Sequence, residues 1–279
     1  MDELELKLAR LRALLGERGL EAILLQRVSS FAWATCGAAS YVNSATTNGA
    51  SALLVTPSRR YLLTNNVEAP RLEREEGLAA QGWEFCVRPW HRLYDPVAEL
   101  ARGLKLAADG PYPGATDLSP ELARLRARLG PEEGERFRAL GRLCAEAMDR
   151  AVRSVRPGQT EHQIAGRLAQ EAQSRGILPV VNLVAADERV FEFRHPLPTG
   201  RKLERYAMLV LGGRRQGLVC SLTRLVHFGP LPDDLRRKAE AVAQVDATLI
   251  AHSRPGQTLG EILHRAMVAY AEAGFPEEW

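Results

Sequence analysis

A chain of 279 residues, 46% of them hydrophobic, carries enough apolar material for two ordinary domains and excludes a mainly disordered state. Its formal charge of +3 is spread evenly, with 16 basic and 15 acidic residues up to position 128 and 21 and 19 after it, so neither half offers an electrostatic platform for nucleic acid. Cys36, Cys86, Cys144 and Cys220 are far apart and form no CxxC pair, no apolar run approaches the roughly 20 residues of a membrane span, and the N-terminus opens as an amphipathic helix rather than a signal peptide; together these point to a cytoplasmic protein with reduced thiols.

In chain order, "ELELKLARLRALLGERG" places leucines at mostly helical spacing and ends at Gly19, where a helix C-cap is expected. "LEAILLQ" reads as a buried strand. After "FAWATCG" comes the alternating stretch "ASALLVTPSRRYLLTNN", a hairpin turning at "PSRR". A charged helix around "EAPRLEREEG", a strand "WEFCVRP" and a helix near "LYDPVAELARGL" follow. Strands alternating with helices over about 125 residues indicate a three-layer α/β domain with a mixed sheet. Ser119, followed by Pro120, is the expected N-cap of a further helix, and "YPGATDLSP" is read as the boundary region. The domains are placed at 1–128 and 129–279, with "GPEEGER" opening a long helix of the second.

The pentapeptide "RPGQT" occurs at 156–160 and again at 254–258. Each time it follows an Ala- and Arg-rich helix, which Pro and Gly stop, and each time its Thr begins a T-x-x-Q/E capping box: Thr160 with Gln163, Thr258 with Glu261. The following helices share Ile164 with Ile262, Arg167 with Arg265 and Gly176 with Gly274. Two helix joints in register indicate an internal duplication. After the first joint a strand is expected near 180–186, then a Pro-rich loop, then two long strands joined by a turn at "GGRRQG". After the second joint the sequence reaches only "GFPEEW", and the expectation is a truncated second half or a surface covered by dimerisation.

These residues resemble the creatinase, prolidase and aminopeptidase P family, whose catalytic domain has the pita-bread fold. The resemblance rests on "RFRALGRLCAEAMDRAVRSVRPGQTEHQIAGRL", "RHPLPTGRKLERYAMLVL" and "GLVCSLTRLVHFGPLPDDLRRKAEAVAQVDATLIAHSRPGQT". It implies a creatinase-like N-terminal three-layer α/β domain followed by an incomplete pita-bread (duplicated α+β) domain. The family's D-x-G-x(5)-Y-x(2)-D-x-T-R type signature supplies two aspartates to a dinuclear centre of divalent ions such as Mn, Co or Zn. Setting Thr223 and Arg224 on its T-R dipeptide puts Gly217 on its glycine but Val210 and Ser221 on the two aspartates. Val has no lone pair and a neutral Ser hydroxyl is a poor substitute for a bridging carboxylate. The other ligands, a His and two Glu, would fall after Trp279, so no metal cofactor is expected.

His195 in "FRHPLPT" resembles the family histidine that approaches the substrate, the acid–base group in metal-free creatinase; a loop histidine bonded to a backbone carbonyl is the preferred reading. Asp187, Glu188 and Glu192 are read as a solvated acidic loop rather than a metal cluster, and Arg214 and Arg215 as an exposed hairpin tip rather than a phosphate grip. Cys220 is taken as a buried core thiol, and His227 as structural. Trp33, Trp83, Trp90 and Trp279 are too scattered to stack bases. The resulting expectation is an Xaa-Pro peptidase-like protein without metal-dependent activity. The alternatives are a peptide- or protein-binding pseudoenzyme and a metal-free C–N hydrolase using His195. Peptides with Pro at the second position and a second copy of the chain are the expected partners, with no nucleic acid and no membrane.

Overall fold

The computed structural model describes residues 2–92 and 95–279. Leu4, Leu8, Leu11 and Leu15 form one stripe of α1 (Glu3–Glu17), which starts with the Asp2 carboxylate on the Glu5 N–H (2.8 Å) and ends before Gly19 at φ +62°. Then come β1 (Ala22–Arg27), α2 (Val28–Ala34), β2 (Asn48–Val55), β3 (Arg60–Asn65), α3 (Ala69–Arg74) and β4 (Glu84–Arg88). The helix expected near "LYDPVAELARGL" is the short α4 (Pro96–Leu100); Leu93 and Tyr94 of that stretch lie outside the described residues. Two further strands, β5 (Leu106–Ala108) and β6 (Thr116–Asp117), precede α5 (Ser119–Ala127).

The six strands form one mixed sheet in the order β4-β3-β2-β1-β5-β6, with β1–β2 and β2–β3 antiparallel and the other pairs parallel. Strand alternation sends Ile23, Leu25, Leu53, Val55 and Leu62 to one face, under Leu8 and Leu11 of α1, Phe31 of α2 and Leu122 of α5. Ala22, Leu24, Leu54 and Leu63 go to the other, under Val97 of α4. Three layers result. Helix α5 differs from the expected cap: Ser119 is its first residue, and the Asp117 carboxylate takes the Ser119 N–H (2.8 Å), so the longer acidic side chain caps from two positions earlier.

The second part holds α6 (Pro131–Ser154), α7 (Glu161–Gln173), β7 (Leu178–Ala186), α8 (Arg189–Glu192), β8 (Tyr206–Arg215), β9 (Leu218–His227), α9 (Asp233–His252) and α10 (Leu259–Glu272). Both capping boxes form: the Thr160 and Thr258 hydroxyls each accept the N–H of the residue three on at 3.2 Å, and Gln163 and Glu261 return to the Thr N–H at 2.9 and 2.8 Å. Strands β7-β8-β9 make an antiparallel sheet. Leu140, Cys144 and Met148 of α6 and Ile164 and Leu168 of α7 pack on the face that carries Ala207, Leu209 and Leu211.

The hairpin turn is shorter than expected. Only Gln216 (φ +50°) and Gly217 (φ +77°) make it, a two-residue turn of the kind that suits strand twist. Gly212, Gly213, Arg214 and Arg215 continue β8, and the two glycines serve close approach: a Cβ on Gly212 would meet Val181 Cβ at 2.8 Å, and one on Gly213 would meet Cys144 Sγ at 2.6 Å. The turn docks on the first part, since a Cβ on Gly217 would lie 2.6 Å from Ala32 Cβ. Arg214 is therefore no hairpin tip; its guanidinium stacks on Tyr41 at 4.3 Å. A buried ion cluster ties α1 to α6: Lys7 Nζ meets Glu3 (2.7 Å), Glu133 (3.0 Å) and the Trp33 carbonyl (2.8 Å), while Arg136 bonds Glu3 at 2.8 Å. Burial pushes the Glu3 carboxyl up, but bonds and charge from Arg136 and Lys7 outweigh it and hold it down at about 2. Among the described residues no helix is long and apolar enough to cross a membrane.

Candidate functional site

The face of the β7-β8-β9 sheet turned away from α6 and α7 is set by strand alternation and register. Val210 lies opposite Thr223, and Ser221 lies opposite Gly212, so Val210, Ser221 and Thr223 share this face on neighbouring strands. Thr223 and Ser221 are exposed and Val210 is half-buried. The structure thus brings together the two positions that the T-R register assigns to the aspartates. Arg224 falls on the opposite face, where its guanidinium bonds the Thr223 carbonyl (2.7 Å). Tyr206 and His227 form a ring contact at 5.8 Å at one end of the open face, and Phe191 stacks on Tyr206 at 5.6 Å. His227 Nδ1 is buried without a hydrogen-bond partner among the described residues.

His195 sits in the loop between α8 and β8 and is exposed; no hydrogen bond to it, from a carbonyl or a carboxylate, is found among the described residues. The loop is held instead by Glu161, the first residue of α7, whose side chain is fully buried. It accepts the Ala186 N–H (2.8 Å), the Thr199 N–H (2.8 Å) and the Thr199 hydroxyl (2.7 Å), and it pairs with Arg189. Burial pushes the Glu161 carboxyl up, yet these bonds together keep it below the usual carboxylate range. Sequence reading missed Glu161, because its partners lie 25–38 residues downstream and only its place at a helix N-terminus is visible locally.

The acidic stretch is solvent-exposed at Glu188 and Glu192, as expected, but not at Asp187. Asp187, at φ +55°, accepts the N–H groups of Glu204 (2.9 Å), Arg205 (2.8 Å) and Tyr206 (3.0 Å), and these bonds, against burial, hold its carboxyl low. Glu188 pairs with Arg201 at the surface, and Glu192 is exposed with no ion pair among the described residues. Cys220 is half-buried rather than buried, on the α6 side of β9; burial, with Cys220 beside it, pushes the Cys144 thiol up to about 11. A thiol raised in this way is the reverse of an activated nucleophile. Among the described residues no group of three or more His, Cys, Asp and Glu side chains is placed to hold a metal ion.

Residues 135–278 match the description "Metallopeptidase family M24". The chain belongs to this family. Solved structures agree on the fold: an Xaa-Pro dipeptidase from Bacillus anthracis (18% identity, 98% of this chain and 79% of that one, TM-score 0.78), a prolidase from Pyrococcus horikoshii OT3 (16%, 97% and 79%, 0.80) and an X-Pro aminopeptidase from Thermotoga maritima MSB8 (19%, 97% and 78%, 0.74). A search of curated proteins finds no match. This M24 member is therefore an α/β protein with the pita-bread fold of the prolidases, in which three layers built on the six-stranded mixed sheet come first in the chain.

The family's divalent metals can be tested against the donor set. On the shared face this M24 member offers a hydrocarbon at 210 and neutral hydroxyls at 221 and 223. Two dications with a bridging water need anionic oxygens to offset their charge, and these positions provide none. The residues do not fit a dinuclear centre.

Proposed function

We propose that this protein is an Xaa-Pro peptidase-like M24 member that works without metal-dependent peptidase activity, as a binder of peptide or protein on its open sheet face. The observation that carries the reading is the meeting of Val210 and Ser221 on one face with no carboxylate between them. Exposed apolar side chains beside them, Val219 and Leu225, favour binding over hydrolysis. Peptides with proline at the second position are the ligand class the family suggests. The cytoplasm is the proposed location, in keeping with four free thiols. Metal-free hydrolysis by His195 has less support, since among the described residues no side chain is hydrogen-bonded to its imidazole.

The test is turnover by the purified protein of Xaa-Pro dipeptides and longer Xaa-Pro peptides, with Mn²⁺, Co²⁺ or Zn²⁺ added in turn. The expected rate equals that of the metal and buffer alone, and Val210→Asp with Ser221→Asp raises Mn²⁺ affinity in titration calorimetry. Chelator-sensitive release of the N-terminal residue by the unaltered chain would overturn the reading.

A further inference from the structure

Four thiols stand free in this chain, and the fold brings two of them together. Cys36 lies in the loop after α2, and Cys86 lies on β4, against the small core under α4. Cys144 of α6 and Cys220 of β9 instead meet in the core between α6 and the second sheet.

Gly213 makes the meeting possible. It sits directly opposite Cys220 in the β8–β9 register, where facing side chains stand about 5 Å apart at Cβ. Cys144 Sγ fills the place that a side chain on Gly213 would take, since a Cβ there would lie 2.6 Å from it. The Cys144 sulfur thus occupies the cross-strand neighbour position of Cys220, on the same face of the sheet. Helix α6 packs along β9, and no Cβ at 213 holds it off.

The two thiols differ in access. Cys220 is half-buried, whereas Cys144 is fully enclosed and its thiol is pushed up by burial and by Cys220 beside it. Oxidation therefore starts at Cys220. We propose that Cys144 and Cys220 form a reversible disulfide when the chain meets hydrogen peroxide, tying α6 to β9. The Cys220 sulfur attacks one peroxide oxygen, the O–O bond breaks, and the released hydroxide takes the thiol proton and leaves as water, giving a sulfenic acid. The Cys144 sulfur then attacks the Cys220 sulfur, the S–O bond breaks, and the departing hydroxide takes the Cys144 proton as a second water. Two thiols lose two electrons and two protons, and the peroxide is reduced to two waters. A thiol reductant reverses the step by exchange, entering at the more accessible Cys220. The proposal stands independently of whether the open face binds peptide.

Peptide mapping of the full chain tests it. After brief treatment with hydrogen peroxide, then denaturation and alkylation with iodoacetamide, two of the four thiols should be blocked, and one disulfide-linked peptide pair should carry Cys144 and Cys220. Cys36 and Cys86 should be alkylated as before. The intact mass before alkylation should fall by two hydrogens, and dithiothreitol should restore it. The urea midpoint of the oxidised chain should rise, because a link between residues distant in sequence restricts the unfolded chain. In Cys144→Ala the sulfenic acid at Cys220 should persist and be captured by dimedone. The same oxidation carried out in urea should give mixed pairings, which separates selection by the fold from reactivity alone. A native chain with all four thiols still alkylated, oxygen added at Cys220 without linkage, or the same mixed pairings with and without urea would each overturn the proposal. These three readouts come from the unaltered chain and do not depend on the folding of a variant.

Discussion

The two RPGQT joints are alike in local chemistry and unlike in everything that touches them. Each has its capping box, its left-handed Gly (Gly158 at φ +85°, Gly256 at φ +90°) and a closing Gly after the next helix. The first joint is zipped to the loop before β8: Gly158 and Glu161 donate to the Leu203 and Arg201 carbonyls at 2.8 and 3.0 Å, and Leu203 donates back to Gln159 at 2.9 Å. The second makes no such bonds among the described residues. At positions 98 residues apart, buried Leu140, Cys144 and Met148 of α6 become Lys238, exposed Val242 and Asp246 in α9, and α9 and α10 bury only a small core around Val245, Ala266 and Ala269. Caps are written in four consecutive residues, whereas burial depends on what lies against the helix.

Glu161 and Leu259 give the largest contrast, occupying the same place after each Thr, one fully buried and the other 87% exposed. Glu161→Ala leaves Arg189 and two N–H groups without their acceptor and should cost about 3–5 kcal/mol of unfolding free energy, while Leu259→Ala should change it by less than about 0.5 kcal/mol. Urea midpoints at neutral pH compare the two. The pH dependence has a definite sign. The folded Glu161 carboxyl is held below its ordinary 4.5, so its stabilisation is complete above that value and is lost as pH falls through the lowered one. Glu161→Gln should accordingly flatten the fall in stability that the unaltered chain shows as pH drops below the ordinary carboxylate range.

A second contrast concerns packing. Leu168 is fully enclosed between α7 and the sheet, and Leu168→Ala should cost about 2–5 kcal/mol through lost transfer energy and the cavity left behind. Val242 stands where Cys144 stands in the first repeat but is 55% exposed, and Val242→Ala should cost less than about 0.5 kcal/mol. Equal losses at the two sites, read by thermal unfolding, would mean that α9 packs more tightly than its exposure shows.

Legibility in the sequence follows the same division between local and distant causes. The two RPGQT capping boxes, the "PSRR" hairpin and the strand of "LEAILLQ" were visible, because their signals span a few neighbouring residues. Strands β5 and β6, at three and two residues, are too short to show a period of two, and the stretch read as a boundary holds one of them. Gly212 and Gly213 suggested a turn, but a glycine needed for close approach looks the same in one dimension as a glycine needed for φ > 0. The site was half legible. The T-R register put Val210 and Ser221 at equivalent positions, and the strand pairing places them on one face; that Arg224 points to the other face, and that Asp187 and Glu161 clamp the His195 loop, depends on contacts far along the chain.

The smallest expected effect is the sharpest test of the local half of this comparison. Thr160→Ala and Thr258→Ala each remove one hydroxyl that accepts an N–H at 3.2 Å, and each should cost about 1 kcal/mol of helix stability whatever surrounds the joint. Their surroundings differ: Thr160 bridges to Lys202, whereas Thr258 faces solvent. Read by hydrogen exchange within α7 and α10 separately, the two losses should agree within a few tenths of a kcal/mol, since the backbone bridge at Thr160 survives the substitution to Ala. A loss at Thr160 several times larger would mean that the hydroxyl also holds the docked loop, and that the first joint has acquired a tertiary role which its pentapeptide does not encode.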